Sequence, residues 1–339
     1  MLLFLQPDTS AQSAESLLRE VRKAGLTGEI VAEEPRRVIR LRGAERAVDW
    51  LSGLPGVLHV LPAERPFHHC LKSEKGQKTR IRVAEHIIGG PEPTLIAGPC
   101  AVEEGDLLTE LALQLKRHGA HLLRGGAYKP RSSPYDFQGL ARRGLEMLAA
   151  AGREAGLPVV TEAVDEQSLA EVEEYSQVIQ IGARNMHNFE LLKRAGRSKL
   201  PVFLKRGFSA TLEDFLLAAE YVLEQGNPNV ILCERGIRTF SGHSRFTLDL
   251  AIVPRLAEFS HLPVFVDPSH ASGRRGSVAP LARAAVAAGA DGVMVEVHPD
   301  PEHALCDGRQ SIDVSAFSIL AEQLRMLTAV RDGQKVTVT

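Results

Sequence analysis

The sequence lacks any apolar run approaching the roughly 18–20 residues that a membrane-spanning helix needs. Its opening, MLLFLQPDTS, holds five apolar residues with no basic segment ahead of them. Both absences point to a soluble, cytoplasmic chain with no membrane partner. An excess of charge of one sign is missing too: 40 Lys and Arg against 42 Asp and Glu leave a formal net charge of −2. No global field draws such a protein to nucleic acid, and any anion site has to be built locally. Cysteine is scarce and scattered. Cys70, Cys100, Cys233 and Cys306 show no paired CxxC spacing, which argues against structural zinc or a dithiol switch and for reduced thiols.

What is present is enough apolar material, 44% of 339 residues, for a barrel of ~250 residues and a small extra module. Residues 1–65 read as that module. An apolar strand LLFL leads to a helix from about Ala11 to Ala24, stopped at Gly25. Strands EIVAEE and RVIRLRG come next, turned at Pro35, then a helix over 44–52 and a last strand VLHVL after Pro55-Gly56. The order βαββαβ is ferredoxin-like. Residues 66–90 read as a polar linker, PFHHCLKSEKGQK, and a short hairpin, TRIRVAEHIIGG, capping the floor of a barrel.

From 91 to 339 short apolar strands alternate with amphipathic helices, the signature of parallel βα units. Eight strands can be read: TLIAGPC, HLLRGGA, PVVTEA, QVIQIGA, PVFLKRG, VILCERG, PVFVDPSH and GVMVEVHP. Eight repeats predict a closed α/β fold, a (β/α)8 TIM barrel behind the small βαββαβ domain. Almost every strand ends in a polar or charged residue, which this fold gathers at its catalytic C-terminal rim.

Cys100, His270 and Glu296 end the first, seventh and eighth strands, and Asp307 comes after the eighth. Closure makes those strands neighbours. Alone, Cys100 reads as a small buried hydrophobe, His270 as a hydrogen-bonded rim residue and Asp307 as a loop carboxylate. Together, a thiolate, an imidazole and two carboxylates suit a divalent transition metal, manganese, iron, cobalt or zinc, better than calcium. Cys306, beside Asp307, is expected near Cys100. Arg124, Lys129, Arg131, Arg184, Lys205 and Arg235 stand at or just past the ends of strands two, four, five and six. Like charges facing one another across a barrel mouth repel unless an anion lies between them, and phosphorylated substrates would meet that need. Glu162, ending strand three, is placed to orient a lysine or a water.

The strings IAGPCAVE, LRGGAYKPRSSPYDFQGL, TEAVD, IQIGARNMHNFELLKRAG, FLKRGF, ILCERGIRTF, VDPSHASGRR and VEVHPDPEHALCDGRQS resemble those of 3-deoxy-D-arabino-heptulosonate 7-phosphate (DAHP) synthases. The likeness is to the short barrel type with an N-terminal ferredoxin-like regulatory extension. It spans about Thr94 to Asp313 closely and the first 65 residues more loosely. The resemblance implies condensation of phosphoenolpyruvate with D-erythrose 4-phosphate and water to give DAHP and phosphate, the first step of the shikimate pathway. It implies a metal, with Mn2+ foremost among Mn2+, Fe2+, Co2+ and Zn2+, on Cys100, His270, Glu296 and Asp307. Phosphoenolpyruvate would meet Arg124, Lys129, the Ala183 backbone, Arg184, Lys205 and Arg235, and the aldose phosphate would meet Pro130, Arg131 and Ser132. Where the family more often has threonine, Ser132 keeps the hydroxyl. Lys129, Glu162 and His270 carry the catalytic roles. The resemblance further implies a homo-oligomer, dimer or tetramer, and an aromatic amino acid, tyrosine or phenylalanine, as effector of residues 1–65.

Two competing readings stand beside it. The sister enzyme that makes 3-deoxy-D-manno-octulosonate 8-phosphate from arabinose 5-phosphate shares barrel and chemistry, but its usual Lys-Ala-Asn-Arg is here Lys129-Pro130-Arg131. A barrel-derived amino-acid sensor would draw support only from the N-terminal module, and the rim still carries its full set of reactive side chains.

Overall fold

The computed structural model describes residues 1–32, 37–42, 48–61, 69–72, 77–131, 133 and 135–331. The chain divides into two compact units, Met1–Gln77 and Lys78–Thr339. In the first, β1 (Leu2–Leu5), α1 (Ala11–Lys23), β2 (Thr27–Ala32), β3 (Val38–Arg42), α2 (Val48–Ser52) and β4 (Val57–Leu61) give the order βαββαβ. The antiparallel sheet runs β2-β3-β1-β4. Helix α1 begins where the Ser10 side chain accepts the Ser13 N–H, which satisfies one of the free donors of the first turn. It buries Ala14, Leu17, Leu18 and Val21, a spacing that puts all four on one face. They pack on Leu3, Leu5, Ile39 and Leu41. The turn expected at Pro35 and residues 44–47 of the expected second helix lie outside the described residues.

The second unit opens with a hairpin, β5 (Ile81–Val83) and β6 (His86–Ile88). Eight strands then alternate with helices: β7 (Thr94–Gly98), β8 (Leu122–Arg124), β9 (Val159–Ala163), β10 (Val178–Ile181), β11 (Val202–Lys205), β12 (Val230–Glu234), β13 (Val264–Val266) and β14 (Gly292–Glu296). All are parallel, and β14 pairs with β7 to close the barrel. The helices are α3 (Gly105–Arg117), α4 (Ala141–Ala155), α5 (Glu166–Tyr175), α6 (Phe189–Gly196), α7 (Leu212–Glu224), α8 (Ile252–Phe259), α9 (Pro268–Ser272), α10 (Arg275–Ala287) and α11 (Val314–Arg331). Strands covered on both faces need apolar side chains at nearly every position, which is why these segments read as continuous apolar runs. Inside the barrel Ile96, Leu122, Val160, Val178, Phe203, Ile231, Phe265 and Met294 form one core with Ile81, Val83 and Ile88 of the hairpin. Phe203 and Phe265 meet edge to face at 5.4 Å. Truncating a ring of this kind to alanine costs about 3–5 kcal/mol.

Two local features shape the rim. Gly98 ends β7 at φ +147, where a Cβ would lie 2.0 Å from the Arg124 carbonyl oxygen; only glycine lets the backbone run so close to β8 before turning to Cys100. The segment PVFVDPSH is strand only through Val266. Asp267 then caps a short helix with Pro268 in its first turn and accepts the His270 N–H. His270 therefore stands on α9 and not on a strand end, because an Asp-Pro pair starts a helix. Among the described residues no helix is long and apolar enough to cross a membrane.

Candidate active site

Because every barrel strand runs the same way, the residues just past them collect at one rim. Cys100 lies just past β7, His270 on α9, Glu296 at the end of β14 and Asp307 in the loop beyond it. One ligand atom from each comes within 4.8 Å of the other three. The Cys100 Sγ lies 3.3 Å from Asp307 Oδ2, and His270 Nε2 lies 3.2 Å from Glu296 Oε1 and 3.8 Å from Asp307 Oδ2. Asp307 sits at φ 55, in the left-handed region that aspartate tolerates better than most residues.

The donor set can be tested against a cation without appeal to any relative. Glu296 is fully buried, yet its Oε1 accepts no hydrogen bond. Arg124 Nη2 ion-pairs with it at 3.4 Å without a hydrogen bond; a buried carboxylate oxygen that accepts none is costly, and a divalent ion among the four ligand atoms would satisfy it. His270 is oriented for the same purpose. Asp267, fully buried, accepts the His270 backbone N–H at 3.0 Å on Oδ1 and faces His270 Nδ1 at 2.7 Å with Oδ2. Burial alone would raise the Asp267 pKa, but the hydrogen bond from His270 and the Lys205 and Arg124 charges outweigh it and hold the carboxyl well below its ordinary range. An ionised carboxylate can only accept, so Nδ1 carries the hydrogen and Nε2 presents its lone pair to the cluster. Burial lowers the pKa of His270, which keeps the ring neutral. Cys100 is the exception. Its hydrogen bond with Cys306, at 3.1 Å, together with burial and the Glu296 charge, raises its pKa well above the ordinary thiol value.

The cations line the cleft beside this cluster. Arg124, Lys129, Pro130, Arg131, Glu162, Ala183, Arg184, Lys205, Arg235, His270 and Asp307 share its walls. Cys100 and Glu296 are not among the wall residues but adjoin them, with Arg124 Nη2 3.4 Å from Glu296 Oε1. Arg124 and Arg235 are both buried, and the Nη1 of each has no hydrogen-bond partner. Two orphaned guanidinium donors in one polar cleft fit an anion as directly as the orphaned carboxylate fits a cation. The Arg235 guanidinium lies 4.9 and 4.4 Å from the Phe208 and Phe246 ring centres, and Arg184 lies 5.5 Å from Phe208. These stacked rings hold both guanidinium planes in place.

Lys129 donates to the Cys100 carbonyl at 3.0 Å and Sγ at 3.1 Å. Burial would lower its pKa, but Cys100, Cys306 and Glu162 outweigh that and raise it. A lysine here could act as a base only if its neighbours lowered its pKa; these neighbours keep it an ammonium. Arg131 is tied to Cys306 Sγ at 2.8 Å and to Asp136 at 3.1 Å. Ser132 lies outside the described residues. Glu162 accepts from Gln180 Nε2 at 3.0 Å and fills the space over Gly182.

Several residues of the site are not singled out by the sequence alone. Asp267 could have been, since Asp-Pro before a histidine is a helix-start signal. Gln180 is a lone amide inside the apolar strand Val178–Ile181. Phe208 and Arg245, on loops, give no pattern to read.

Known proteins resemble this chain over most of its length. The sequence model of the DAHP synthetase I family matches residues 73–331. The chain is 46% identical over 329 residues to "Phospho-2-dehydro-3-deoxyheptonate aldolase" of Thermotoga maritima, covering 96% of this chain and 97% of that protein. A "2-dehydro-3-deoxyphosphooctonate aldolase" of Magnetococcus marinus is 33% identical over 256 residues, with 70% and 88% covered. Among solved structures, the Thermotoga maritima DAHP synthase crystal structure matches with a TM-score of 0.78 at 44% identity, over 99% of this chain and 98% of that one. A truncated form of the Thermotoga maritima synthase matches with a TM-score of 0.72 at 48% identity, over 79% and 98%.

Proposed function

The chain belongs to the DAHP synthetase I family, and from that premise we infer the reaction its cleft performs. The protein is a DAHP synthase. It condenses phosphoenolpyruvate with D-erythrose 4-phosphate and water to give DAHP and inorganic phosphate, at the entry to the shikimate pathway. The observation that carries the assignment of the site is the placing together of a buried Glu296 oxygen that accepts no hydrogen bond and two buried guanidinium nitrogens, Arg124 Nη1 and Arg235 Nη1, that donate none.

Arg124, Arg184, Lys205 and Arg235 hold the carboxylate and phosphate of phosphoenolpyruvate, with the Ala183 backbone beside them. Pro130, Arg131 and Ser132 receive the aldose phosphate. Carbon 3 of phosphoenolpyruvate then attacks the aldehyde carbon of the sugar, forming the new C–C bond. Lys129, held as an ammonium against Cys100, delivers its proton to the oxygen of that aldehyde. Water, placed by Glu162, which Gln180 fixes in turn, adds to carbon 2 and gives up the proton that restores Lys129 to its ammonium form. The phosphohemiketal that results breaks its C–O bond and releases phosphate. Arginine donors already in place at the developing charge need no reorganisation during these steps.

Cys100, His270, Glu296 and Asp307 would hold a divalent transition metal, with Mn2+ preferred and Fe2+, Co2+ or Zn2+ as alternatives. When bound, it supplies Lewis acidity toward the aldehyde oxygen. Residues 1–65 are the regulatory domain in this reading, residues 66–90 the linker and floor hairpin, and residues 91–339 the catalytic barrel. The reading further includes a homo-oligomer, dimer or tetramer, in the cytoplasm. Tyrosine or phenylalanine is its effector.

The test of function is phosphate release from phosphoenolpyruvate with each aldose phosphate in turn. Erythrose 4-phosphate is expected to give the higher kcat/KM by at least about tenfold, because Pro130-Arg131 offers no side-chain amide to the longer sugar; tenfold corresponds to about 1.4 kcal/mol of differential binding. Equal efficiency with arabinose 5-phosphate would count against selectivity for the shorter sugar.

A further inference from the structure

Each carboxylate of the ligand cluster has one oxygen turned to the other ligands and one turned away. The two turned away converge on the same pair of side chains. Glu296 Oε2 accepts from Gln310 Nε2 at 2.5 Å, while its Oε1 faces His270. Asp307 Oδ1 lies 3.5 Å from Arg245 Nη1, while its Oδ2 faces Cys100 and His270. The same Arg245 Nη1 donates to Gln310 Oε1 at 3.2 Å. A guanidinium on one side and a carboxylate on the other leave the amide a single satisfied orientation, oxygen toward Arg245 and nitrogen toward Glu296.

The pair is also fixed to the elements that carry the ligands. Gln310 is buried, and its N–H donates to the Asp307 carbonyl at 3.1 Å. The backbone N–H groups of Arg245 and Phe246 donate to the carbonyls of Ser272 and Ala271 of α9, at 3.1 and 2.9 Å. Gly273, which ends α9, has no room for a Cβ because it would lie 2.7 Å from Arg245 Cβ.

We propose that Arg245 and Gln310 form a positioning relay that decides which oxygen of Glu296 and of Asp307 faces the divalent ion. By engaging Glu296 Oε2 and Asp307 Oδ1, the relay leaves Oε1 and Oδ2 as single-oxygen ligands beside Cys100 and His270. Without it either carboxylate can rotate, bind through both oxygens or turn away. Gln310 stands outside the cleft lining and Arg245 on its wall; the role proposed for both runs through the carboxylates they hold. This inference rests on the metal reading above.

The test uses the full-length protein, stripped of metal, and titrates Mn2+ by calorimetry and Co2+ by its visible absorption. Gln310→Leu and Arg245→Ala are each expected to weaken Mn2+ binding by about 10–100-fold, the range typical of residues that orient metal ligands. Both should change the Co2+ spectrum. At saturating Mn2+ both should lower kcat and leave the KM for phosphoenolpyruvate near that of the parent. Arg245→Lys keeps a donor near Asp307 and should recover part of the affinity. Arg245 has a half-exposed side chain, so Arg245→Ala serves if Gln310→Leu does not fold. Parent Mn2+ affinity and an unchanged Co2+ spectrum in a folded variant would overturn the relay, as would a defect confined to KM. Cys100→Ala separates the two readings: if it also binds Mn2+ like the parent, the metal site itself is misplaced.

Discussion

At Cys100 a buried thiol must become a thiolate before it can serve as a ligand. Its hydrogen bond with Cys306 and its burial raise its pKa well above 9 in the metal-free site, whereas burial lowers that of His270 below 6.5. Above pH 6.5, then, the imidazole is already neutral, and of the two thiols in contact Cys100 is the one that keeps the proton, since the same contact lowers the pKa of Cys306. Binding should release about one proton per ion, and affinity should tighten as pH rises, by roughly tenfold per unit. Calorimetry in buffers of different ionisation enthalpy, between about pH 7 and 8.5, measures this directly. A pH-independent affinity would remove Cys100 from the ligand set. The cluster of Cys100, His270, Glu296 and Asp307 could be read from the sequence because Cys100 and Glu296 stand at strand ends and His270 and Asp307 follow strands that meet at the same rim. Asp267, which orients His270 and pairs with Lys205, was hidden within what read as one continuous strand.

Among the elements, the turn after β10 shows how backbone geometry sets a side chain of the cleft. Gly182 has space for no Cβ, since one would lie 1.9 Å from Glu162 Oε1. The cause is register: Gln180 and Glu162 are directly paired across β10 and β9, so the carboxylate leans over the next turn. Gly182→Ala is expected to leave the fold intact and displace Glu162. It should lower kcat by about tenfold or more with a smaller change in KM, as steady-state kinetics with phosphoenolpyruvate and erythrose 4-phosphate will read. Parent kinetics in that variant would mean that Glu162 has no part in placing water. This contact was not legible in the sequence, where glycine after a strand is common and only tertiary packing shows what it makes room for.

For the whole molecule, eight strand-helix repeats were legible because strands buried on both faces leave continuous apolar runs. The βαββαβ order of the first unit was legible from its caps and turn residues. Loop partners such as Arg245 were not, since loops carry no period. Every residue placed in the chemistry lies at or beyond Cys100, and the unit Lys78–Thr339 has its own closed core. Deleting residues 1–65 should therefore leave a barrel active to within a few-fold that tyrosine and phenylalanine no longer inhibit. Inhibition assays on both forms check this; a full-length enzyme indifferent to both amino acids would remove the regulatory reading.

The most direct measurement joins the reaction to the site. Metal-stripped full-length protein is titrated with Mn2+ while phosphate release is followed from phosphoenolpyruvate with and without erythrose 4-phosphate. The expected result is no release without the sugar, no release without the metal, and a plateau at about one Mn2+ per chain, the single cluster found among the described residues. Phosphate released from phosphoenolpyruvate alone, or full turnover in the presence of a chelator, would contradict condensation at this site.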